Sequence, residues 1–340
     1  MNPAWQAFLA QQAGYQDGAD DFGTPADELA AARSAAVLVP LFDQGLITLD
    51  GPDATPFLHA LATNDIAGLS DDGVRFAGMC SAKGRLLATF HAWRRPDGLA
   101  LLVAADLQAA FARKLAMFVL RSKVKVTAVG DEVVLLGIGG PSAAAAVGEL
   151  LGQAPAARQW LTSGDTTVLC LDAGRFVLAL PAASAADLWV RAARLARPAG
   201  TAAWRLLEIA AGQPRVVAAT QEAFVPQMVN MEVAEVGGVV FTKGCYPGQE
   251  IVARTQYLGK IKRRMFHVAL DEAVAPGTDV FTPESAGQHC GAVVTVAPSP
   301  EGGFEALLVV QSSGAEVGEI HLGSAEGPRA RLLALPYAVS

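Results

Sequence analysis

The sequence predicts an α+β protein of two or three domains, and three observations carry that prediction. At 340 residues the chain exceeds what one hydrophobic core normally supports. Between Val126 and Ala203 strand and helix patterns follow one another in a β-α-β-β-α order, which suits a ferredoxin-like layer with helices on one face of an antiparallel sheet. From Met265 onward short apolar strands recur between glycine and proline turns, the rhythm of a small antiparallel barrel.

The elements follow from the residues in order. Residues 1–30 are polar and predict a loose N-terminal arm with one short helix. Ala36 to Leu49 alternates and ends as a strand at the Asp50-Gly51 turn. Asp53 opens a helix, Ala54 to Ala62, that places Phe57, Leu58 and Leu61 on one face and is closed by Thr63-Asn64-Asp65. Two strands, Arg75–Cys80 and Leu86–Trp93, are joined through Ser81-Ala82-Lys83-Gly84-Arg85, and a third spans Leu99–Ala104. A helix from Leu107 to Leu120 leads through Arg121-Ser122-Lys123-Val124 into the next strand. The middle layer then reads as strand Val133–Ile138, helix Ser142–Leu151, strands Thr167–Leu171 and Arg175–Leu180, and helix Ala183–Ala196. A further helix begins at Trp204, and the barrel strands are Phe266–Leu270, Gly291–Val296, Ala306–Val310 and Arg329–Leu335.

Composition narrows the function. Hydrophobic residues make up 52 % and charged ones 17 %, as in a packed globular chain. Apolar runs such as Val133–Ile138 are far shorter than the roughly 20 residues that span a bilayer, and the N-terminus lacks the basic start and apolar core of a secretory signal. The expectation is a cytoplasmic protein without a membrane role. Cys80, Cys170, Cys245 and Cys290 form no C-x-x-C pair, which argues against a disulfide framework and against a zinc or iron–sulfur site held by this chain alone. A net charge of −7 opposes general nucleic-acid binding. The local exception is Lys243 to Arg264, where Lys243, Arg254, Lys260, Lys262, Arg263 and Arg264 face only Glu250. That segment is a candidate dock for an anion or for tRNA.

The chemistry concentrates in the same stretch. Cys245 is bounded by Gly244 and by Pro247-Gly248, residues that permit a tight loop. Gln249 to Tyr257 reads as a short helix. A thiol near a helix start, two residues from Lys243, sits where its thiolate is favoured. The alternative is a small buried hydrophobe, the commoner fate of a free cysteine.

KGCYPGQE followed by Ile251-Val252-Ala253-Arg254 resembles the signature of the YgfZ proteins, folate-binding relatives of the glycine-cleavage T-protein. The resemblance extends to the G-x-D-A…F-L…T-N-D opening, the Lys83-Gly84-Arg85 hairpin, the Arg121–Val124 passage, the Trp204…Gly212-x-Pro214 segment and Phe224-Val225-Pro226-Gln227-Met228-Val229-Asn230. It implies a three-domain T-protein-like α+β fold, with a ferredoxin-like insert and a C-terminal antiparallel β-barrel around a central folate channel. The implied division is an arm (1–30), a discontinuous folate-binding domain (31–125 plus 204–262), the insert (126–203) and the barrel (263–340). The implied role is that of a folate-binding accessory protein for iron–sulfur enzymes or cluster-assembly proteins, including tRNA-thiolating enzymes. Tetrahydrofolate is the implied cofactor, with no resident metal. Trp204 would stack on the pterin, Gln227 and Asn230 would meet its polar edge, Arg254 and Lys262 would meet the glutamate tail, and Cys245 would act as the nucleophile. Two departures stand out: Ala210 where T-proteins carry a glutamate, and Gln44 where a YgfZ tryptophan can sit.

Two other functions stay open. One is a tetrahydrofolate-dependent aminomethyltransferase, although Ala88 and Thr89 replace the acidic pair such enzymes carry, so whether the chain is an enzyme is undecided. The other is a non-enzymatic tRNA- or protein-docking module using the 254–264 segment.

Overall fold

The structure, a computed structural model, describes residues 2–16, 20–257, 259 and 261–339. The chain begins with helices α1 (Pro3–Leu9) and α2 (Pro25–Ser34), then strands β1 (Val37–Pro40) and β2 (Gln44–Asp50) and helix α3 (Ala54–His59). Strands β3 (Val74–Cys80), β4 (Leu86–Arg95) and β5 (Gly98–Ala104) lead to helix α4 (Ala105–Phe118) and strand β6 (Lys125–Ala128). Next come β7 (Val133–Gly139), α5 (Ala143–Leu151), β8 (Trp160–Ser163), β9 (Thr166–Asp172), β10 (Arg175–Pro181), α6 (Ala182–Ala192), β11 (Arg197–Pro198) and α7 (Thr201–Ala210). The last third holds α8 (Gln249–Tyr257), β12 (Arg263–Leu270), β13 (Asp279–Phe281), β14 (Gly291–Pro298), β15 (Phe304–Gln311), α9 (Ser312–Val317), β16 (Ile320–Leu322) and β17 (Arg329–Leu333).

The chain divides into two compact units. The first comprises Met1–Pro52, Leu69–Arg75 and His91–Leu207, and the second Asp53–Gly68, Phe76–Phe90 and Glu208–Ser340. Of the stretches 31–125 and 204–262, β2 and β5 fall in the first unit, while α3 and residues 208–262 fall in the second.

In the first unit six strands pair in the order β11-β1-β7-β10-β9-β8. The runs VVLLGIG and RFVLALP make β7 and β10 apolar enough for the middle of this sheet, with Leu136 opposite Leu178. Helices α5 and α6 pack on it. The ferredoxin-like pattern is thus present, but β1 and β11 extend the sheet and β8 adds an edge. These three are only two to four residues long, too short for a periodic signal. Strands β5, β2 and β6 form a second ladder, with Ile47 opposite both Leu101 and Ala128.

The N-terminal residues correct the expectation of a loose arm with one helix. Two helices are present, and Trp5 and Leu9 are buried. Trp5 meets Trp189 of α6 edge-on at 5.7 Å, and Phe22 stacks on the same ring at 5.7 Å. A few aromatic residues suffice to dock a segment that is polar on average, because each buries a large apolar area.

In the second unit β12-β15-β14-β13-β16-β17 close into a barrel, with Val268 opposite both Ala306 and Leu332. Val268, Val280, Val293, Leu308, Val310, Ile320 and Leu322 fill it. Its shortest strands, β13 and β16, have three residues each and escaped the sequence pattern.

Candidate functional site

The cysteine loop lies wholly within the second unit, and each neighbouring motif of that unit has a part in building it. Asn64, buried, donates through Nδ2 to the carbonyls of Phe76 and Gly237, each at 2.7 Å. Thr63 Oγ1 donates to Gly238 O at 2.7 Å and accepts from Gly78 N at 2.8 Å. The T-N-D string therefore fixes the turn at Gly237-Gly238 from which the loop departs. Phe241 meets Tyr257 edge-on, ring centroids 5.9 Å apart, so the start of the loop touches the end of α8.

Lys243 points inward. Its ammonium donates to His59 O and Ala62 O, at and just beyond the end of α3. A cation there satisfies carbonyls that a helix leaves unpaired and meets the negative end of its dipole. Burial pushes Lys243 down to about 8, against the charges of Asp65 and Cys245. The same ammonium sits 5.0 Å from the ring centre of Tyr246. Tyr246 is buried, which drives its hydroxyl above the usual tyrosine range, with Cys80 adding to the effect.

Between these two buried anchors the chain turns outward. Gly244 has open space around it and Cys245 is exposed. Gly248 then takes φ +79°, where a Cβ would lie 2.3 Å from Ser81 O and 2.7 Å from Gly84 Cα. Gly84, at φ +69°, would in turn place a Cβ 2.9 Å from Ile251 Cβ. The Lys83-Gly84-Arg85 hairpin and the Pro247-Gly248 corner thus meet backbone to backbone, and only glycine allows both the conformation and the approach. Arg85 secures the hairpin by donating to Ala223 O at 2.6 Å.

The other three cysteines are buried. Burial pushes the thiols of Cys80 and Cys170 up to about 12. A thiol reagent applied to the native protein is therefore expected to label Cys245 alone, and the other three only after denaturation. Mass mapping of the labelled peptides checks this. Rapid labelling of Cys80 in the native state would contradict the burial.

The remaining candidate residues fare differently. Gln227 is enclosed and donates through Nε2 to Val252 O at 2.7 Å, leaving its Oε1 as a buried acceptor without a partner. Asn230 occupies the left-handed region and spends both ends of its amide on the Met265 backbone, at 2.9 Å and 3.4 Å. Asn230 closes the turn 226–229, and its amide ties that turn to β12. In the first unit Trp204 is fully enclosed, its indole packed so closely on Gly137 that a Cβ there would lie 2.6 Å from Cζ3. Its ring has no exposed face. Glu208, two residues before Ala210, is buried and faces Arg215 at 3.4 Å. Thr89 accepts from Val216 N at 3.0 Å and Ala88 is buried, so neither supplies an acid or base.

The basic run is also smaller than its sequence suggests. Lys243 is committed to carbonyls, and Arg264 is buried in an ion pair with Glu232. Lys260 lies outside the described residues. Arg254 and Lys262 are exposed and Arg263 half-buried. Among the described residues no cluster of three or more His, Cys, Asp or Glu side chains is placed to hold a metal ion, and no helix is long and apolar enough to cross a membrane.

Residues 4–234 match the family described as the GCVT N-terminal domain. The glycine cleavage system aminomethyltransferase T from Bartonella henselae shares the fold: TM-score 0.80 at 20 % identity, covering 98 % of this chain and 97 % of that one. The protein is thus of the aminomethyltransferase fold class. Relatives named tRNA-modifying protein YgfZ resemble it over most of its length. That of Sodalis glossinidius is 31 % identical over 320 residues, 92 % of this chain and 96 % of the relative. That of Serratia proteamaculans is 36 % identical over 248 residues, 71 % and 73 % of the two chains. The chain belongs to the YgfZ family.

Proposed function

We propose that this protein is an accessory factor for the assembly or repair of iron–sulfur enzymes, including those that thiolate tRNA, and that Cys245 is the residue through which it acts. The observation that carries the proposal is the presentation of that thiol. It is exposed, whereas Cys80, Cys170 and Cys290 are buried, and it stands between two anchored residues beside a cation. A thiolate so placed serves as a nucleophile toward sulfur or as a ligand to a partner's iron.

Tetrahydrofolate belongs to this reading as a bound ligand. Of the residues assigned to the pterin, Trp204 is enclosed and Asn230 bonds the Met265 backbone, while Gln227 keeps a buried Oε1 without a partner. Arg254 and Lys262 are exposed cations of the kind an anionic glutamate tail requires.

The test is to replace Cys245 with serine in cells that depend on this protein and to quantify thiolated nucleosides in total tRNA by mass spectrometry. Loss of most thiolation, at an unchanged level of folded protein, is expected. Full thiolation would reduce Cys245 to a surface residue. Calorimetry with tetrahydrofolate addresses the ligand separately: saturable binding weakened by Arg254→Gln with Lys262→Gln supports it. Absence of binding removes folate and leaves the role of Cys245 standing.

A further inference from the structure

Strand β6, in the first unit, is the last of its sheet. It pairs with β2, placing Ala128 opposite Ile47 and Lys125 opposite Asp50, and among the described residues no strand lies along its other side. Val129 N donates to Leu46 O at 2.8 Å. In an antiparallel ladder the residues that exchange hydrogen bonds alternate. Lys125, Thr127 and Val129 therefore turn their backbone groups toward β2, while Val126 and Ala128 turn theirs away from it. Val126 is half-buried and Ala128 exposed, and among the described residues no hydrogen bond occupies this outer side. An edge of this kind is a template for another strand.

Each face beside that edge offers something to a partner's side chains. On one face Lys125 and Thr127 line a groove of about 620 Å³ with Thr48, Glu132, Thr167 and Pro181. Lys125 is no spare cation there, since it faces Asp50, which also holds Arg95 at 2.9 Å. The other face carries α4. Gln108 of that helix packs on Gly45, and alternation puts Ile47 and Leu49, with their partners Ala128 and Val126, on the same face. Toward its end α4 leaves Arg113, Lys114, Met117 and Phe118 exposed, and Leu120 and Arg121 follow. Met117 is 73 % exposed, Phe118 39 % and Leu120 87 %. No acidic residue occurs from Leu107 to Gly130. Exposed apolar side chains grouped among cations mark an interaction surface.

We propose that the open edge of β6 takes up an extended segment of a partner protein as an added strand, a segment that carries both acidic and apolar residues. Main-chain bonds to Val126 and Ala128 hold it, and the flanking surfaces select it. An edge of four residues is short, which discourages indiscriminate pairing, so the side chains of the segment decide. Its acids meet Arg113, Lys114 and Arg121, and its apolar residues cover Met117, Phe118 and Leu120. The apolar and cationic residues alone would also suit an anionic bilayer. The unpaired backbone favours protein, because lipid tails offer it no hydrogen-bond partner. A second copy of this chain is disfavoured, since pairing β6 with β6 would bring two sets of the same cations together. The surface lies in the first unit and its use does not depend on Cys245 in the second.

The experiment selects binders to the full chain from a phage-displayed library of linear peptides and measures the affinity of the selected peptides by fluorescence anisotropy. Peptides that combine acidic with apolar residues are expected. Ala128→Pro removes an outward N–H and leaves the bonds to β2 in place. It should weaken peptide binding about tenfold or more, with thermal melting as the check on folding. If that variant is unstable, N-methylation of the peptide replaces it. Methylating the amides that face β6 should abolish binding to the wild type, and methylating the alternate amides should preserve it. Arg113→Gln/Lys114→Gln/Arg121→Gln should weaken binding several-fold and reduce its dependence on salt. Selected peptides without acidic residues overturn the proposal, and so does binding that ignores Ala128→Pro or both patterns of methylation. A dimer of the protein alone that Ala128→Pro dissociates would assign the edge to a second copy instead. Displacement of the selected peptide by phosphatidylglycerol vesicles or by total tRNA would likewise assign the surface to lipid or to RNA and overturn it.

Discussion

Replacing Gly248 with valine is expected to destabilise the second unit by about 2–5 kcal/mol and to end the selective labelling of Cys245. Two effects add. Valine resists φ +79°, and its Cβ would lie 2.3 Å from Ser81 O, a backbone atom of the hairpin that cannot swing aside. Gly84→Ala is the milder companion. Its Cβ would meet Ile251 Cβ at 2.9 Å, on the exposed first turn of α8, where a shift of a few tenths of an ångström is available. Denaturant unfolding of the two variants should therefore rank them, valine at 248 the worse. Labelling should rank them the same way, with Cys80 becoming reactive as the hairpin lifts from the loop. Wild-type stability in Gly248→Val would mean that the backbone contact does not pin the thiol.

The asymmetry between these glycines and the rest of the site explains what the sequence disclosed. Helix α8 lies where its polar–apolar spacing predicts, Gln249–Tyr257, because helix periodicity is local information. The barrel was legible from its recurring turns. The exposure of Cys245 was legible only as one of two alternatives, since a loop bounded by glycine and proline says nothing of which way its side chains point. The inward turn of Lys243 was not legible at all. It depends on carbonyls of residues 59 and 62, more than 180 positions away. The basic run was overcounted for the same reason: a net charge sums residues without knowing that Arg264 is buried against Glu232. The enclosure of Trp204 was not legible either, because a helix-borne indole reads alike whether it faces a ligand or fills a core. The signal that would have exposed it lies in Gly137 and Gly139, where strand β7 gives up its side chains beneath the ring.

Lys243 carries the other large effect, and it appears in the pH dependence of stability. Burial holds the folded-state ammonium near 8, whereas the unfolded chain keeps lysine at 10.5. Below about pH 8 both states are protonated, and folding bears the full cost of burying the charge. Between the two values the unfolded chain binds the proton that the folded chain has released, so stability rises with pH across that window. The rise, measured as wild type minus Lys243→Met, should reach at most about 3 kcal/mol by about pH 10.5 and should vanish below about pH 8. Denaturant titrations at intervals through the window give the curve directly. The competing influence is the pair of carbonyls at the end of α3, which favour the ammonium. If they hold it in full, the difference curve is flat and Lys243 is a helix cap only. If burial prevails, Lys243 loses its charge in mildly alkaline solution, and with it the cation beside Cys245. Alkylation of Cys245 at neutral pH should then be several-fold slower in Lys243→Met than in the wild type, with Lys243→Arg, which keeps the charge, separating loss of the cation from loss of the loop's shape.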